Sequence, residues 1–412
     1  MRIKAKKAVV FGLGRSGVGA ANLLSSSGVE VIIADIKPEQ ELKEYIGRLS
    51  PSVKLCLGGY PLSLNGADLI VISPGVPQGI EPIVRAREKG IKVIGELELA
   101  FQAIKTEVPG ENGIPALAVT GSNGKSTTTT VLDLMLREAG FRTLLGGNIG
   151  ISLTEEISKI VKSEAPSKTQ YDPHSELASS IDFIVAEVSS FQLETIDEFK
   201  PMGAAILNIT PDHLDRYHSM KEYREAKAAI FRNQDKDDFL VLNADDPETM
   251  KVCEMFNTRR STSPIILFFS RKKEVEGVYC RGGIVYVNIP DVKHIPRHSE
   301  LIGADEIKIK GVHNLENAMA STAMALLAGC PPEAVAAALL NFPGLEHRLE
   351  FVRELDGVRY VNDSKGTNVG AVMKSLEGFE SPVILIAGGR DKAGDFTQLR
   401  PFIEGRVRAL VL

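Results

Sequence analysis

A glycine-rich segment at residues 120–127 has the residue types that hold nucleotide phosphates. It lies between an apolar strand-like run and an amphipathic helical stretch, so its glycine N–H groups would face phosphate oxygens. Lys125 would reach the terminal phosphates, and the Ser126 hydroxyl would bind Mg²⁺. Val119 stands where the usual GxxxxGK[ST] pattern has its first glycine, so a Gly-Lys-Ser turn without a ligand is the alternative. The segment consists of Thr120, Gly121, Ser122, Asn123, Gly124, Lys125, Ser126 and Thr127.

A second glycine-rich segment, Gly12-Leu13-Gly14-Arg15-Ser16-Gly17, fits the GxGxxG pattern of dinucleotide-binding loops. It follows one strand-like run, and Asp35 ends the next. The pattern predicts a diphosphate at a helix N-terminus. A nicotinamide or flavin dinucleotide, another nucleotide diphosphate and a tight turn without a ligand are the alternatives. Ser73-Pro74-Gly75-Val76 follows a later strand, where it would line the same crevice or form a simple turn.

Two polar residues follow strand-like runs in the middle of the chain, at the carboxyl edge where α/β sheets bind ligands. Glu187 directly follows the apolar run 181–186, and a carboxylate there can hold Mg²⁺. An exposed acid at a strand end is the alternative. His213 lies in the segment after the next strand, where a capping or turn role competes with a functional one.

Lys227 lies on the apolar face of a helix predicted at Glu222–Asn233. Tyr223 lies four residues before it, and Ile230 and Phe231 lie three and four residues after it. Lysine is seldom fully buried without a partner. The alternatives are a lysine that snorkels at the edge of this face and a lysine whose charge is altered or matched.

The remaining candidates open a helix or follow strands in the last quarter of the chain. Asn314, in the run His313-Asn314-Leu315-Glu316-Asn317, either binds a ligand or caps the helix. The segments 362–368 and 388–392 place cations and hydroxyls at strand ends, where they could reach an anionic substrate. The candidates from this region are Arg348, Asp363, Lys365, Thr367 and Lys392.

Short apolar runs alternate with amphipathic stretches, which predicts an α/β fold with parallel sheets. We expect a first domain at 1–105 and a linker at 106–113. A central domain with a small β-meander occupies 106–343, and a third domain occupies 344–412. The segment 163–180 is predicted to be a surface loop. Because a strand-like run ends at Leu412, we expect the third domain to be incomplete in this chain.

Bulk properties exclude several classes of protein. The 412 residues carry a net charge of −5, which argues against a nucleic-acid-binding surface. The four cysteines form no CxxC pair, and no run approaches the roughly 20 apolar residues that span a bilayer. A cytoplasmic protein without membrane insertion is expected.

The motifs taken together resemble the Mur ligases. The resemblance rests on 120–127, Glu-Val-Ser-Ser-Phe-Gln-Leu-Glu at 187–194, Asp-His-Leu-Asp-Arg-Tyr at 212–217, Ala226-Lys227 and His313-Asn314. Ser-Ser-Phe-Gln-Leu-Glu and Asn-Asp-Ser-Lys-Gly-Thr-Asn most resemble the members that add D-glutamate. The resemblance implies a Rossmann-like first domain, a central P-loop ATPase-like domain and a Rossmann-like third domain. It also implies a monomer that joins D-glutamate to UDP-N-acetylmuramoyl-L-alanine in peptidoglycan precursor synthesis. ATP would activate the carboxylate as an acyl phosphate, releasing ADP and phosphate.

The resemblance also implies roles for residues, and it reassigns the first glycine loop to a UDP-sugar. Lys227 would be carbamylated by CO₂, and with Ser126, Glu187 and His213 it would complete two Mg²⁺ sites. Lys125, Glu187, His213 and Lys227 would be catalytic. The UDP-sugar contacts would be Gly14, Arg15, Ser16, Gly17, Asp35, Ser73, Pro74, Gly75 and Asn148. The ATP contacts would be the segment 120–127 with Asn314, Asn317, Arg348, Asp363 and Lys365. Thr367 and Lys392 would face D-glutamate.

Two rival functions remain at this stage. An NAD-dependent oxidoreductase would account for residues 12–17 and Asp35 but leaves Lys125, Glu187 and Lys227 without a role. A sensor that binds nucleotides or sugar nucleotides without catalysis would use the same loops.

Overall fold

A computed structural model describes residues 5–61, 63–64, 66–107, 113–163, 181–214, 216–255, 263–290, 295–379, 382–389 and 395–412. The chain divides into two compact units. The first is formed by Met1–Ala118, Phe141–Met202 and Ala229–Asn233. The second is formed by Val119–Gly140, Gly203–Ala228 and Gln234–Leu412.

The first unit opens with a five-stranded parallel sheet of order β3-β2-β1-β4-β5. Val9 in its central strand pairs with Ile32 on one side and Ile70 on the other. The strand order reverses beside β1, and this switch point is where doubly wound sheets bind ligands. The elements are β1 (Lys7–Phe11), α1 (Arg15–Ser26), β2 (Glu30–Asp35), α2 (Glu39–Ile46), β3 (Lys54–Leu57), β4 (Leu69–Ile72), α3 (Glu81–Glu88), β5 (Lys92–Gly95) and α4 (Glu96–Glu107).

Strand β6 (Ala116–Thr120) begins in the first unit and ends in the second, where α5 (Lys125–Glu138) follows it. All five residues of β6 are buried, and α5 buries Val131 and Met135 as its apolar periodicity predicts. The turn between β6 and α5 is therefore fixed at both ends by buried elements.

The rest of the first unit contains a second parallel strand pair, which ends in polar residues. Gly147 pairs with Glu187 at the carboxyl ends of the two strands. The elements are β7 (Thr143–Gly147), α6 (Leu153–Ser163), β8 (Phe183–Glu187) and α7 (Ser190–Leu193). Helix α7 begins with a capping box in which Ser189 and Gln192 satisfy each other's backbone N–H groups.

The second unit continues from β6 in the strand order β6-β9-β10-β11-β12-β13-β14. The strands β9 to β12 are parallel, and β12, β13 and β14 form an antiparallel meander. A short 3₁₀ helix follows α8. The elements are β9 (Gly203–Ile206), α8 (Met220–Ala228), β10 (Phe239–Asn243), α9 (Pro247–Glu254), β11 (Ile265–Ser270), β12 (Gly277–Arg281), β13 (Ile284–Asn288), β14 (Ser299–Gly303), α10 (Val312–Leu327) and α11 (Pro332–Asn341).

The last part of the second unit has two small strand pairs. An antiparallel hairpin joins β15 (Glu350–Leu355) to β16 (Val358–Asn362), and α12 (Val369–Glu377) follows. Strand β17 (Val383–Ile386) is parallel to β18 (Val407–Val411), which follows α13 (Arg400–Arg406).

The structure confirms the predicted α/β class, the Rossmann-like first sheet and the meander. The boundaries of three domains at 105 and 343 stay predictions. The linker prediction was wrong at residues 106–107, which end α4, while residues 108–112 lie outside the described part. The predicted loop likewise falls outside it at residues 164–180. Helix α8 ends at Ala228, five residues before the predicted end.

Candidate functional site

The phosphate-loop candidate forms the turn between β6 and α5. Gly124 adopts the left-handed conformation with φ of 86°, which L side chains rarely adopt. A Cβ at this position would lie 2.2 Å from Asn317 Oδ1, so only glycine fits between the loop and α10. The backbone can therefore approach a ligand closely, as the sequence predicted.

The loop is held by side chains that follow β9. Asn208 Oδ1 accepts a hydrogen bond from the Asn123 N–H at 2.8 Å, and Asn208 Nδ2 donates to the Asn123 carbonyl at 3.1 Å. The Ser122 hydroxyl donates to the Thr210 carbonyl and accepts from the Thr210 N–H, both at 3.0 Å. Asn208 was not predicted as a contact of this loop, because an amide side chain in a loop leaves no periodic signal in the sequence.

Lys125 folds back over this loop. Its Nζ donates to the carbonyl oxygens of Gly121 and Ser122 at 2.9 Å each. The ammonium is thus placed on the same turn whose amides would meet phosphate, where it can offset the charge of a transferring phosphoryl group.

Lys227 is buried with 1% of its surface exposed. Its Nζ donates to the Gly121 carbonyl at 2.9 Å and lies 4.5 Å from the centre of the Tyr223 ring. The snorkelling alternative is therefore wrong, because the amine lies inside the unit and not at its edge. Gly121 accepts from both Lys125 and Lys227, so one carbonyl joins the two amines.

Burial lowers the pKa of Lys227 well below the ordinary value for lysine, and the nearby charge of Lys125 lowers it further. Asp212 opposes this shift without reversing it. Lys227 therefore gives up its proton more readily than an ordinary lysine, and the neutral amine is the form that reacts with an electrophile such as CO₂.

His213 lies in a tight turn, which was one of its two predicted readings. Its φ of 55° is left-handed, and its carbonyl accepts hydrogen bonds from the N–H groups of Arg216 and Tyr217. Nε2 lies 3.7 Å from Asp212 Oδ2. The turn fixes the backbone of His213, and the metal role of its imidazole stays a prediction.

Asn314 and Asn317 lie in the first turns of α10. The helix begins at Val312, and Asn314 Nδ2 donates to the Lys310 carbonyl at 2.8 Å, so the capping alternative for Asn314 was wrong. Asn317 Oδ1 accepts from the Thr128 hydroxyl at 3.2 Å. Both asparagines are buried beside the phosphate-loop helix, and their ATP role stays a prediction.

The candidates of the last part of the chain differ in placement. Arg348 donates to the Ser126 hydroxyl at 2.9 Å, so the structure brings these two predicted ATP contacts together. Asp363 accepts hydrogen bonds from the Leu349 N–H and the Ser375 hydroxyl, so its carboxylate stabilises the turn that it belongs to. Lys365 and Thr367 are exposed on that turn, and Lys392 lies outside the described residues.

Side chains of the same unit hold the first glycine loop in place through hydrogen bonds. Asp35 accepts from the backbone N–H groups of Leu13 at 2.7 Å and Lys37 at 2.9 Å. The Ser73 hydroxyl donates to the Gly12 carbonyl at 3.0 Å, so the second predicted loop lies beside the first. A Cβ on Gly17 would lie 1.8 Å from that carbonyl, a contact that only glycine avoids.

Four of the other UDP-sugar candidates of the first unit lie on the same loops. Gly14 is the N-cap of α1, Ser16 lies in its first turn, and Pro74 with Gly75 forms the turn closed by the Val76 N–H on the Ser73 carbonyl. Arg15 donates to the Gly150 carbonyl at 2.8 Å. Their substrate roles stay predictions.

Glu187 and Asn148 form a pair within the first unit. Asn148 Nδ2 donates to Glu187 Oε1 at 2.7 Å, and its backbone N–H donates to the Glu187 carbonyl at 2.8 Å. Glu187 is 3% exposed, so the exposed-acid alternative was wrong. Its Oε2 is buried and has no hydrogen-bond partner among the residues that the structure describes. A buried carboxylate oxygen without a partner is a hard donor that suits Mg²⁺.

Two absences concern only the described ranges given above. No three His, Cys, Asp or Glu side chains there gather as a metal cluster. No helix there has the length and hydropathy needed to cross a membrane.

Comparisons with known families match two parts of the chain. Residues 119–325 match the Mur ligase middle domain, and residues 6–95 match the Mur ligase MurD-like N-terminal domain. The two matches contain the two glycine loops and the polar residues that surround them.

Full-length relatives and solved structures agree with these matches. The chain is 42% identical over 411 residues to the UDP-N-acetylmuramoylalanine–D-glutamate ligase of Pelotomaculum thermopropionicum, covering 99% of this chain and 82% of that protein. The enzyme of the same name from Geotalea daltonii is 41% identical over 415 residues, with 100% and 83% covered.

Two solved structures share the fold. MurF from Acinetobacter baumannii aligns with a TM-score of 0.58 at 16% identity, covering 92% of this chain and 81% of that one. The UDP-N-acetylmuramate-alanine ligase MurC from Thermotoga maritima aligns at 0.55 and 22% identity, with 99% and 86% covered. The chain belongs to the Mur ligase family.

Proposed function

We propose that this chain is an ATP-dependent ligase that joins the amine of D-glutamate to the carboxylate of UDP-N-acetylmuramoyl-L-alanine in peptidoglycan precursor synthesis. The buried Lys227 amine, bonded to the carbonyl of the phosphate loop, is the observation that carries this proposal. Neither a dinucleotide oxidoreductase nor a simple sensor needs such an amine beneath a triphosphate loop. Relatives at about 40% identity that carry this enzyme name support the same substrate pair.

The chemistry follows from the poor reactivity of a carboxylate. Transfer of the ATP γ-phosphoryl group to the alanyl carboxylate gives an acyl phosphate, and the amine of D-glutamate then displaces phosphate to form the amide. The loop amides and Lys125 would offset the charge on the transferring phosphoryl group. Arg348, Asn314, Asn317, Asp363 and Lys365 would contact ATP.

Two features fit the proposed metal and CO₂ chemistry. A neutral Lys227 amine can attack CO₂ and release a proton to solvent, which leaves a carbamate anion on Nζ. Ser126, Glu187, His213 and that carbamate are the proposed ligands of two Mg²⁺ ions. Bound Mg²⁺ would supply charge neutralisation for the phosphate oxygens.

Substrate contacts are proposed on each unit separately. The first glycine loop with Asp35, Ser73–Gly75 and Asn148 would bind the UDP-sugar. Thr367 and Lys392 would bind the carboxylates of D-glutamate. We further propose that the chain acts as a cytoplasmic monomer without a nucleic-acid partner.

Phosphate release tests the proposal directly. Purified chain is incubated with ATP and Mg²⁺, with each substrate alone and with both together. We expect phosphate release only when UDP-N-acetylmuramoyl-L-alanine and D-glutamate are both present. ATP binding without release under any combination would favour a sensor, and tight NADH binding without UDP-sugar binding would favour an oxidoreductase.

A further inference from the structure

Asn368 uses both ends of its side-chain amide in two different parts of the second unit. Its Oδ1 accepts from the Ala371 N–H at 2.8 Å and so caps α12. Its Nδ2 donates to Asn123 Oδ1 at 3.1 Å and to Asp212 Oδ2 at 3.2 Å. Every hydrogen-bonding atom of this amide therefore has a partner.

The cap alone does not account for an asparagine at this position. Serine and aspartate cap helices about as well as asparagine, because each supplies the acceptor oxygen. Only asparagine adds a donor with two hydrogens at the same point. The half of the side chain that reaches Asn123 and Asp212 therefore needs a separate explanation.

Those two partners lie in two different loops of the second unit. Asn123 lies in the phosphate-loop turn, and Asp212 precedes His213 in the segment after β9. The first turn of α12 also packs closely here, since a Cβ on Gly370 would lie 3.4 Å from Thr210 Oγ1 and 3.7 Å from Asn123 Nδ2. Asn368 thus ties the start of α12 to both loops.

The segment just before Asn368 carries the proposed amino-acid contact. Asp363 anchors its beginning through the Leu349 N–H and the Ser375 hydroxyl, and the Gly366 N–H closes a turn onto the Asp363 carbonyl at 2.8 Å. Asn368 anchors its end. Thr367 is exposed and directly precedes Asn368, so it takes its position relative to the phosphate loop from Asn368.

We infer that Asn368 is a positioning residue that sets Thr367 relative to the nucleotide loop, and that D-glutamate binding depends on it. This inference rests on the proposed ligase function. The phosphate loop itself is held separately, by Asn208 and Thr210. Losing the Asn368 amide should therefore weaken D-glutamate binding much more than ATP binding.

The test compares Asn368→Ser and Asn368→Asp with the wild type. Both variants keep a capping oxygen, and Asn368→Asp also turns a carboxylate toward Asp212. We expect the KM for D-glutamate to rise about tenfold in the serine variant and further in the aspartate variant. The Kd for ATP, measured without D-glutamate, should stay within about twofold of wild type. Asn341→Ser is the matched control, because it removes an exposed hydrogen bond from the Asn341 amide to the Ala337 carbonyl. It should change neither the KM for D-glutamate nor the Kd for ATP.

A KM for D-glutamate that stays at the wild-type value in both folded variants would overturn the inference. An equal loss of ATP and D-glutamate binding would also overturn it, since that pattern marks general damage to the loop. Amide hydrogen exchange needs no turnover, so it separates this inference from the ligase proposal. The amides of residues 364–372 should exchange about tenfold faster in Asn368→Ser than in wild type, while the exchange rates of the α5 amides stay unchanged. An inactive wild type with this exchange change would defeat the ligase proposal alone. Unchanged exchange would defeat the positioning role.

Discussion

The two glycine loops of this chain share a strand–loop–helix setting but differ in what completes them. The loop of the first unit is closed by an acid and a hydroxyl, since Asp35 accepts from its amide at Leu13 and Ser73 donates to its carbonyl at Gly12. The loop of the second unit carries two amines, Lys125 and Lys227, on the carbonyl of Gly121. The glycine pattern alone therefore predicts a phosphate-binding shape, and the neighbouring charges decide which chemistry follows.

Removing one cationic side chain from each loop should give the largest contrast. We expect Lys125→Ala to lower kcat by about 10³-fold, because a charge that acts on the transferring phosphoryl group is lost. Arg15→Ala in the first loop should raise the KM for the UDP-sugar about tenfold and leave kcat nearly unchanged, as expected for a contact that binds without reacting. Steady-state phosphate release measures both. Similar losses of kcat in the two variants would remove the distinction between the loops.

Lys227→Ala should lower kcat by about 10²-fold or more, because the proposed carbamate ligand disappears. Acetate or another small carboxylate added to the assay should restore part of the activity to this variant and none to Lys125→Ala. Turnover is followed at increasing acetate concentration, with chloride at the same ionic strength as the control. Wild-type turnover in Lys227→Ala would refute the carbamate role.

Backbone geometry offers a smaller test within the first loop. Gly17→Ala should lower the free energy of unfolding by about 2 kcal/mol, because the new Cβ meets the Gly12 carbonyl. Gly14→Ala is the matched control, since a Cβ there meets no atom within 4 Å. Urea unfolding of the two variants gives the difference. Equal stability would show that the loop opens without cost and that its close packing is unimportant.

Much of the fold was predictable because buried strands leave a strong apolar signal. β4 and β8 are buried throughout, and each contains four consecutive apolar residues, Leu69–Ile72 and Phe183–Ala186. The signal is weaker in β3 and β7. β3 has four residues and none is buried, and two of the five residues of β7 are glycines, which are depleted in strands.

The candidate site was predictable in its residue types and not in its contacts. The apolar face of α8 indicated that Lys227 was unusual, but no pattern identifies a backbone carbonyl such as that of Gly121 as its partner. Asn208 and Asn368 were missed because their roles depend on loops that meet only in the folded chain. Glu187 was correctly placed at a strand end, yet its burial depends on neighbouring segments that its own sequence does not specify.

The buried amine also predicts a small difference in how stability depends on pH. The folded-state pKa of Lys227 lies well below the unfolded value of about 10.5, so the unfolded chain binds one more proton between these two values. The free energy of unfolding should therefore rise as pH increases through this window and fall as pH decreases. Lys227→Met keeps an unbranched side chain at this buried position without a titrating group. Its free energy of unfolding relative to wild type should therefore be highest at low pH and decrease toward pH 10.5. Denaturant unfolding in CO₂-free buffer measures this. Parallel pH curves for the two proteins would mean that Lys227 keeps its proton when it is buried in the second unit.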